Sequence, residues 1–161
     1  MSFNPADVLI TDLGASLGMG DLRFSPAGSC QLVFDQRWVV TLIVDSVRGQ
    51  ITLNCPVSQA DQADQLSRPT LLAMLQANFM GQGCVGATLS MGSDQRAYLQ
   101  MAVALKDASQ SPLQGALELL LNQAETWSAR LTQGHTALAP SPVSARSRSA
   151  GEASPWARQR V

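Results

Sequence analysis

Histidine is nearly absent from this chain. A single one, His135, stands among 161 residues, so a serine or cysteine nucleophile has only one imidazole to serve as its base. His135 follows the last helical pattern and opens a tail, where nothing holds it in place for catalysis. Charge is also scarce, at 14% of residues against a usual value of about 25%. Gln, Ser and Thr can supply an ordinary wet surface in its place, or apolar surface is left over for a partner. The three cysteines, Cys30, Cys55 and Cys84, are widely spaced and form no CxxC pair. Zinc-ligand spacing is therefore missing, and the thiols read as free, buried and kept in a reducing cytosol.

Other absences narrow the class further. No apolar stretch approaches roughly 18 residues, so no membrane span is expected. The first residues lack a basic region followed by an apolar run, which argues against a secretory signal. Gly18-Met19-Gly20 follows a helical pattern rather than a strand, and no GKS or GKT is present, so a phosphate-binding loop is not supported. Asp61 and Asp64 sit in a polar stretch without further metal-ligand partners. Residues 1–133 carry seven Lys/Arg against eleven Asp/Glu, and this acidic balance argues against nucleic acid as the main ligand. The four arginines among residues 134–161 lack an aromatic-basic groove that would change that view. No cofactor, no metal and no catalysis are expected. The alternative is a small-molecule-binding or enzymatic α+β domain, whose mark would be a deep pocket ringed by convergent polar groups.

What the chain does have is periodicity. Asn4-Pro5-Ala6-Asp7 starts a helix, with Asn4 as cap, Pro5 at its first position and Asp7 near its positive end. Leu9, Leu13 and Leu17, with Ile10 beside them, give that helix one apolar stripe, and Gly18 and Gly20 end it. Three strand-like runs follow: Cys30 to Asp35, Trp38 to Asp45 and Val47 to Leu53. In the second run both alternating faces are apolar, which predicts a central strand covered on both sides. Short connections imply an antiparallel meander. Residues 58–68 read as a loop, and Pro69 leads into a second helix bearing Leu71, Leu72, Leu75 and Phe79. Gly81 and Gly83 stop it. Gly86 to Met91 and Ala97 to Leu105 form a hairpin about Gly92-Ser93-Asp94. A last helix starts at Ser111-Pro112 and ends at Gly134, with Leu113, Leu117, Leu120, Ala124, Trp127 and Leu131 on one face. Residues 1–133 are thus one α+β domain of order α-β-β-β-α-β-β-α, built on an antiparallel twisted sheet. Residues 134–161, rich in Ser, Pro and Arg, read as a disordered tail.

One ordered pattern is more specific. The run "PTLLAMLQANFMGQGCVGATLSM", the hairpin returning through "YLQMAVAL" and the helix "LQGALELLLNQAETWSARL" together resemble the class I type III secretion chaperones. These are small cytoplasmic proteins similar to the chaperone of the translocated intimin receptor. The likeness covers about residues 3–133, and the tail departs from it. It implies a homodimer that binds the extended N-terminal region of a secreted effector and is recognised by a secretion ATPase, with no membrane or nucleic acid involved. By the same likeness, the dimer interface comprises Leu72, Leu75, Gln76, Phe79, Met80, Val85, Ala87, Leu89 and Met91. Of the helix residues, Leu71 and Leu75 are weighted to the monomer core, and Leu72 and Phe79 to the contact. The effector-binding candidates are Leu9, Leu13, Leu17, Phe24, Leu32, Phe34, Trp38 and Val40, each of which could equally be core.

Overall fold

The computed structural model describes residues 5–58, 66–107 and 110–132. The tail from 133 onward, His135, the 59–65 segment with Asp61 and Asp64, and the proposed cap Asn4 lie outside the described residues. The first helix, α1, runs Pro5–Ser16. Its end is fixed by Gly18, which takes φ +69° and lets the Met19 N–H reach back to the Gly14 carbonyl at 2.8 Å. Strands β1 (Ser29–Phe34), β2 (Trp38–Asp45) and β3 (Gln50–Pro56) follow. Helix α2 (Arg68–Asn78) continues into a short 3-10 turn at Phe79–Gly81. Strands β4 (Thr88–Met91) and β5 (Ala97–Ala104) and helix α3 (Gln110–Thr132) complete the order.

All strand pairs are antiparallel, and the sheet runs β1-β2-β3-β5-β4. The β1–β2 connection is a tight three-residue hairpin, Asp35-Gln36-Arg37. Asp35 and Gln36 adopt φ of 51° and 53°, and the Arg37 N–H donates to the Phe34 carbonyl at 3.0 Å. The β3 strand begins three residues later than the sequence pattern suggests. The Asp45 carboxylate accepts the backbone N–H groups of Val47 and Arg48, which binds residues 46–49 into a turn instead. Pro56 closes the same strand, opposite Tyr98, at an end where a missing N–H costs little.

The core lies on one side of the sheet. Helix α3 packs on β3 and β5, and α1 packs against α3. Beneath them Leu32, Val40, Leu42, Leu53 and Leu99 are buried, each on the same pleated face. The expectation that β2 is central and covered on both sides is corrected here. β3 is the middle strand, and the second face of β2 stays open, with Val39 and Thr41 half-buried and Ile43 exposed. No helix crosses that face among the described residues, because α1 and α3 share the other one and α2 packs against β4.

Candidate functional site

Helix α2 is capped by Ser67, whose hydroxyl accepts the Thr70 N–H, and Pro69 stands in its first turn. The face it buries carries Ala73, Met74 and Ala77. Most of its other large apolar residues turn outward. Leu75 is 67% exposed, Phe79 70% and Met80 78%, while Leu72, Val85 and Met91 are also exposed. Gln76 is exposed beside them. The weighting of Leu75 to the monomer core is therefore overturned, and Leu71 is half-buried.

The inversion has a packing cause. After the 3-10 turn the chain doubles back beneath α2, and the Gly83 N–H bonds the Ala77 carbonyl at 3.0 Å. A Cβ on Gly83 would stand 2.6 Å from the Ala77 Cβ, so this crossing admits only glycine against alanine. The Trp127 indole N–H, from α3, holds the Gly83 carbonyl from the other side at 3.3 Å. Where Gly83 crosses, the inside of α2 has room only for Ala77, while Leu72, Leu75 and Phe79 project outward. Met80 adopts φ 55° and Val85 φ 32°, a left-handed geometry that a β-branched residue takes at a cost.

Seven of the nine dimer candidates, Leu72, Leu75, Gln76, Phe79, Met80, Val85 and Met91, fall on this outer region. Ala87 and Leu89 do not. Both are buried in the monomer, since Leu89 points into the core from β4 opposite Leu99. The effector candidates need a larger correction. Leu9, Leu13, Leu32 and Val40 are all 3% exposed or less and form the core under α1 and α3, which removes them from any open patch, while Trp38, 5% exposed, belongs to the same core and shows only an edge at the groove described below. Leu17, Phe24 and Phe34 are half-buried at its margin.

Residues that the sequence pattern did not single out also shape the surface. Asn78, at the end of α2, hydrogen-bonds both backbone groups of Leu89 on the edge strand β4. Arg37, Arg96, Asn54 and Tyr98 line an open groove of about 410 Å³ that runs from the uncovered sheet face round the end of the sheet to Trp38 and to Ser128 of α3. Its walls carry no Asp, Glu, His or Cys. Each arginine immediately follows a hairpin turn and precedes a strand with an aromatic residue, a signal visible in Arg37-Trp38 and Arg96-Ala97-Tyr98.

Cys30, Cys55 and Cys84 are free and buried. Burial pushes all three thiols up, Cys55 to about 11, which keeps them protonated and unreactive at neutral pH. Among the described residues no three His, Cys, Asp or Glu side chains gather where a metal ion could sit, and no helix is long and apolar enough to cross a membrane.

Solved structures share this architecture. A chain of the ExsC–ExsE complex superposes with a TM-score of 0.70 at 19% identity, over 78% of this chain and 92% of that one. A chain of the HopA1–SchA chaperone–effector complex gives 0.67 at 18%, over 78% and 94%. The Yersinia pestis type III secretion chaperone SycH, solved with a fragment of YscM2, is represented at 0.58 and 18%, over 75% and 98%. At such identities the likeness is one of fold. Among curated proteins no match is found. The Tir chaperone protein (CesT) family model matches residues 8–128, nearly the whole described domain, and the chain belongs to that family.

Proposed function

We propose that this protein is a cytoplasmic type III secretion chaperone. It works as a homodimer that holds the N-terminal region of a secreted effector extended and fit for export, and it performs no catalysis. The observation that carries this reading is the outward turn of Leu72, Leu75, Phe79, Met80, Val85 and Met91 in a chain of the chaperone family. Several large apolar side chains left exposed on one domain call for a protein partner. A two-fold contact lets one such patch cover its own copy, so the α2 region is assigned to the dimer.

Effector binding then falls to other surfaces. An extended segment gains main-chain hydrogen bonds by adding to a sheet edge, and these offset its ordering entropy. Of the two edges, the four-residue β4 is occupied at Leu89 by the Asn78 side chain and the six-residue β1 only at its first residue, Ser29, by Ser25, which leaves β1 the longer open run. Leu17, Phe24 and Phe34 supply half-buried apolar contacts at the margin of the same core. A secretion ATPase would recognise the loaded dimer, and residues 134–161 remain a separate tail beyond the 1–133 domain.

Affinity capture from the source cytoplasm, read by mass spectrometry, tests the reading. Retention of one secreted protein through its N-terminal region is the expected result. A monomeric mass by light scattering, with no such protein retained, would sink it.

A further inference from the structure

We propose that the open sheet face between Arg37 and Arg96 is a docking site for an extended, acidic stretch of polypeptide. The chaperone reading supplies only the source of that stretch, a segment of secreted cargo. The site itself is argued from the groove.

Both guanidinium groups are held in place before any ligand arrives. Arg37 lies over the Trp38 ring, 4.5 Å from its centre, with one nitrogen 3.4 Å from the Ser128 hydroxyl. Arg96 donates twice to the Ser58 carbonyl, at 3.2 and 3.3 Å, beside the Tyr98 ring. Among the described residues neither makes an ion pair, although Arg96 stands near enough to Asp94 to help hold its carboxyl below the usual range. Arginine carries five N–H donors in a fixed fork, so each keeps donors suited to a carboxylate.

The floor between them is hydrogen-bonding rather than apolar. Gln31, Thr41 and Asn54 stand in register across β1, β2 and β3 on the uncovered face. The Asn54 Oδ1 atom is buried and has no hydrogen-bond partner among the described residues. A buried acceptor left unpaired is costly, and a rotation of the Asn54 side chain towards the groove would let the N–H of an extended peptide satisfy it. The groove continues past Asn54 and Tyr98 into a second recess that contains Asp94. An elongated trough suits a peptide better than a compact anion. Its sign changes along its length, so acidic residues belong at the Arg37–Arg96 end and neutral or basic ones towards Asp94.

The test uses the full chain, ¹⁵N-labelled, and a capped heptapeptide of alternating glutamate and serine, with its glutamine twin for comparison. Saturable shifts at the Arg37 and Arg96 side-chain N–H groups, and at Asn54, are expected. Binding should weaken about tenfold with the twin or with R37Q/R96Q, since charge-assisted hydrogen bonds are lost. The charge-retaining R37K/R96K variant should bind closer to wild type, which guards against reading misfolding as lost contact. Absence of saturable shifts, equal binding of the twin, equal shifts from inorganic phosphate, or preference for oligothymidylate at the same arginines would each overturn the proposal. Molecular mass and cargo capture are read separately. Peptide binding by a monomer without cargo would sink the chaperone reading and spare the groove, and the opposite pattern would do the reverse.

Discussion

The Asn78 carboxamide closes the edge of β4 by pairing with Leu89 as a neighbouring strand would. Its Nδ2 donates to the Leu89 carbonyl at 2.8 Å, and its Oδ1 accepts the Leu89 N–H at 2.8 Å. An unpaired edge is a template for unwanted association, and one amide here removes both exposed groups. The same contact ties the end of α2 to the sheet, and so sets the position from which Phe79 and Met80 project.

Asn78→Leu keeps the side-chain size but removes both hydrogen bonds. Half-buried groups of Leu89 would lose their partners, at a cost of about 1–3 kcal/mol. Urea unfolding should show that loss, and amide exchange at Leu89 should speed up. Unchanged exchange would mean that the amide is protected by something other than Asn78.

Leu75→Asp with Phe79→Glu should leave the fold intact, because both side chains are largely exposed in the single chain. The mass in solution is the reading: a dimeric wild type and a monomeric double variant with the same far-UV spectrum. A variant that stays dimeric would move the interface off the outer face of α2.

Leu13 is fully buried beneath α3, so charge there attacks the core and not a binding surface. Leu13→Asp should unfold the protein. The milder Leu13→Ala should cost about 2–5 kcal/mol through its cavity. A folded Leu13→Asp variant that had lost only cargo binding would restore Leu13 as a contact residue.

Tyr98, the chain's one tyrosine, donates its hydroxyl to the Asp94 carboxylate at 2.6 Å. That bond raises the phenol above its ordinary 10.0 and lowers Asp94 below 3.8. For Tyr98 the raised value means that the contact favours the fold below pH 10.0, and that this is lost as pH rises through the raised value. For Asp94 it is present above 3.8 and lost as pH falls through the lowered value. Absorbance at 295 nm should show tyrosinate forming above pH 10, and D94N should bring that midpoint down towards 10.0. Identical midpoints in the two proteins would show that the bond does not persist in solution.

Periodicity and turn residues determined the order of helices and strands and the hairpins at Asp35-Gln36-Arg37 and Gly92-Ser93-Asp94, because each rests on residues near one another in sequence, and the ordered runs from Pro69 to Leu131 carried the resemblance to the chaperone family. Strand β3 slipped by three residues because Asp45 captured the following turn with its own side chain, a competition that alternation does not register. Which apolar residues face inward was a tertiary decision. Leu9 and Leu13 became core because α3 packs on α1, whereas Leu75 and Phe79 face outward, on the side of α2 away from Ala73, Met74 and the Gly83–Ala77 crossing. The groove at Arg37 and Arg96 likewise exists only once β2, β3 and β5 lie side by side, since these residues are far apart in sequence and meet only where the sheet leaves one face uncovered.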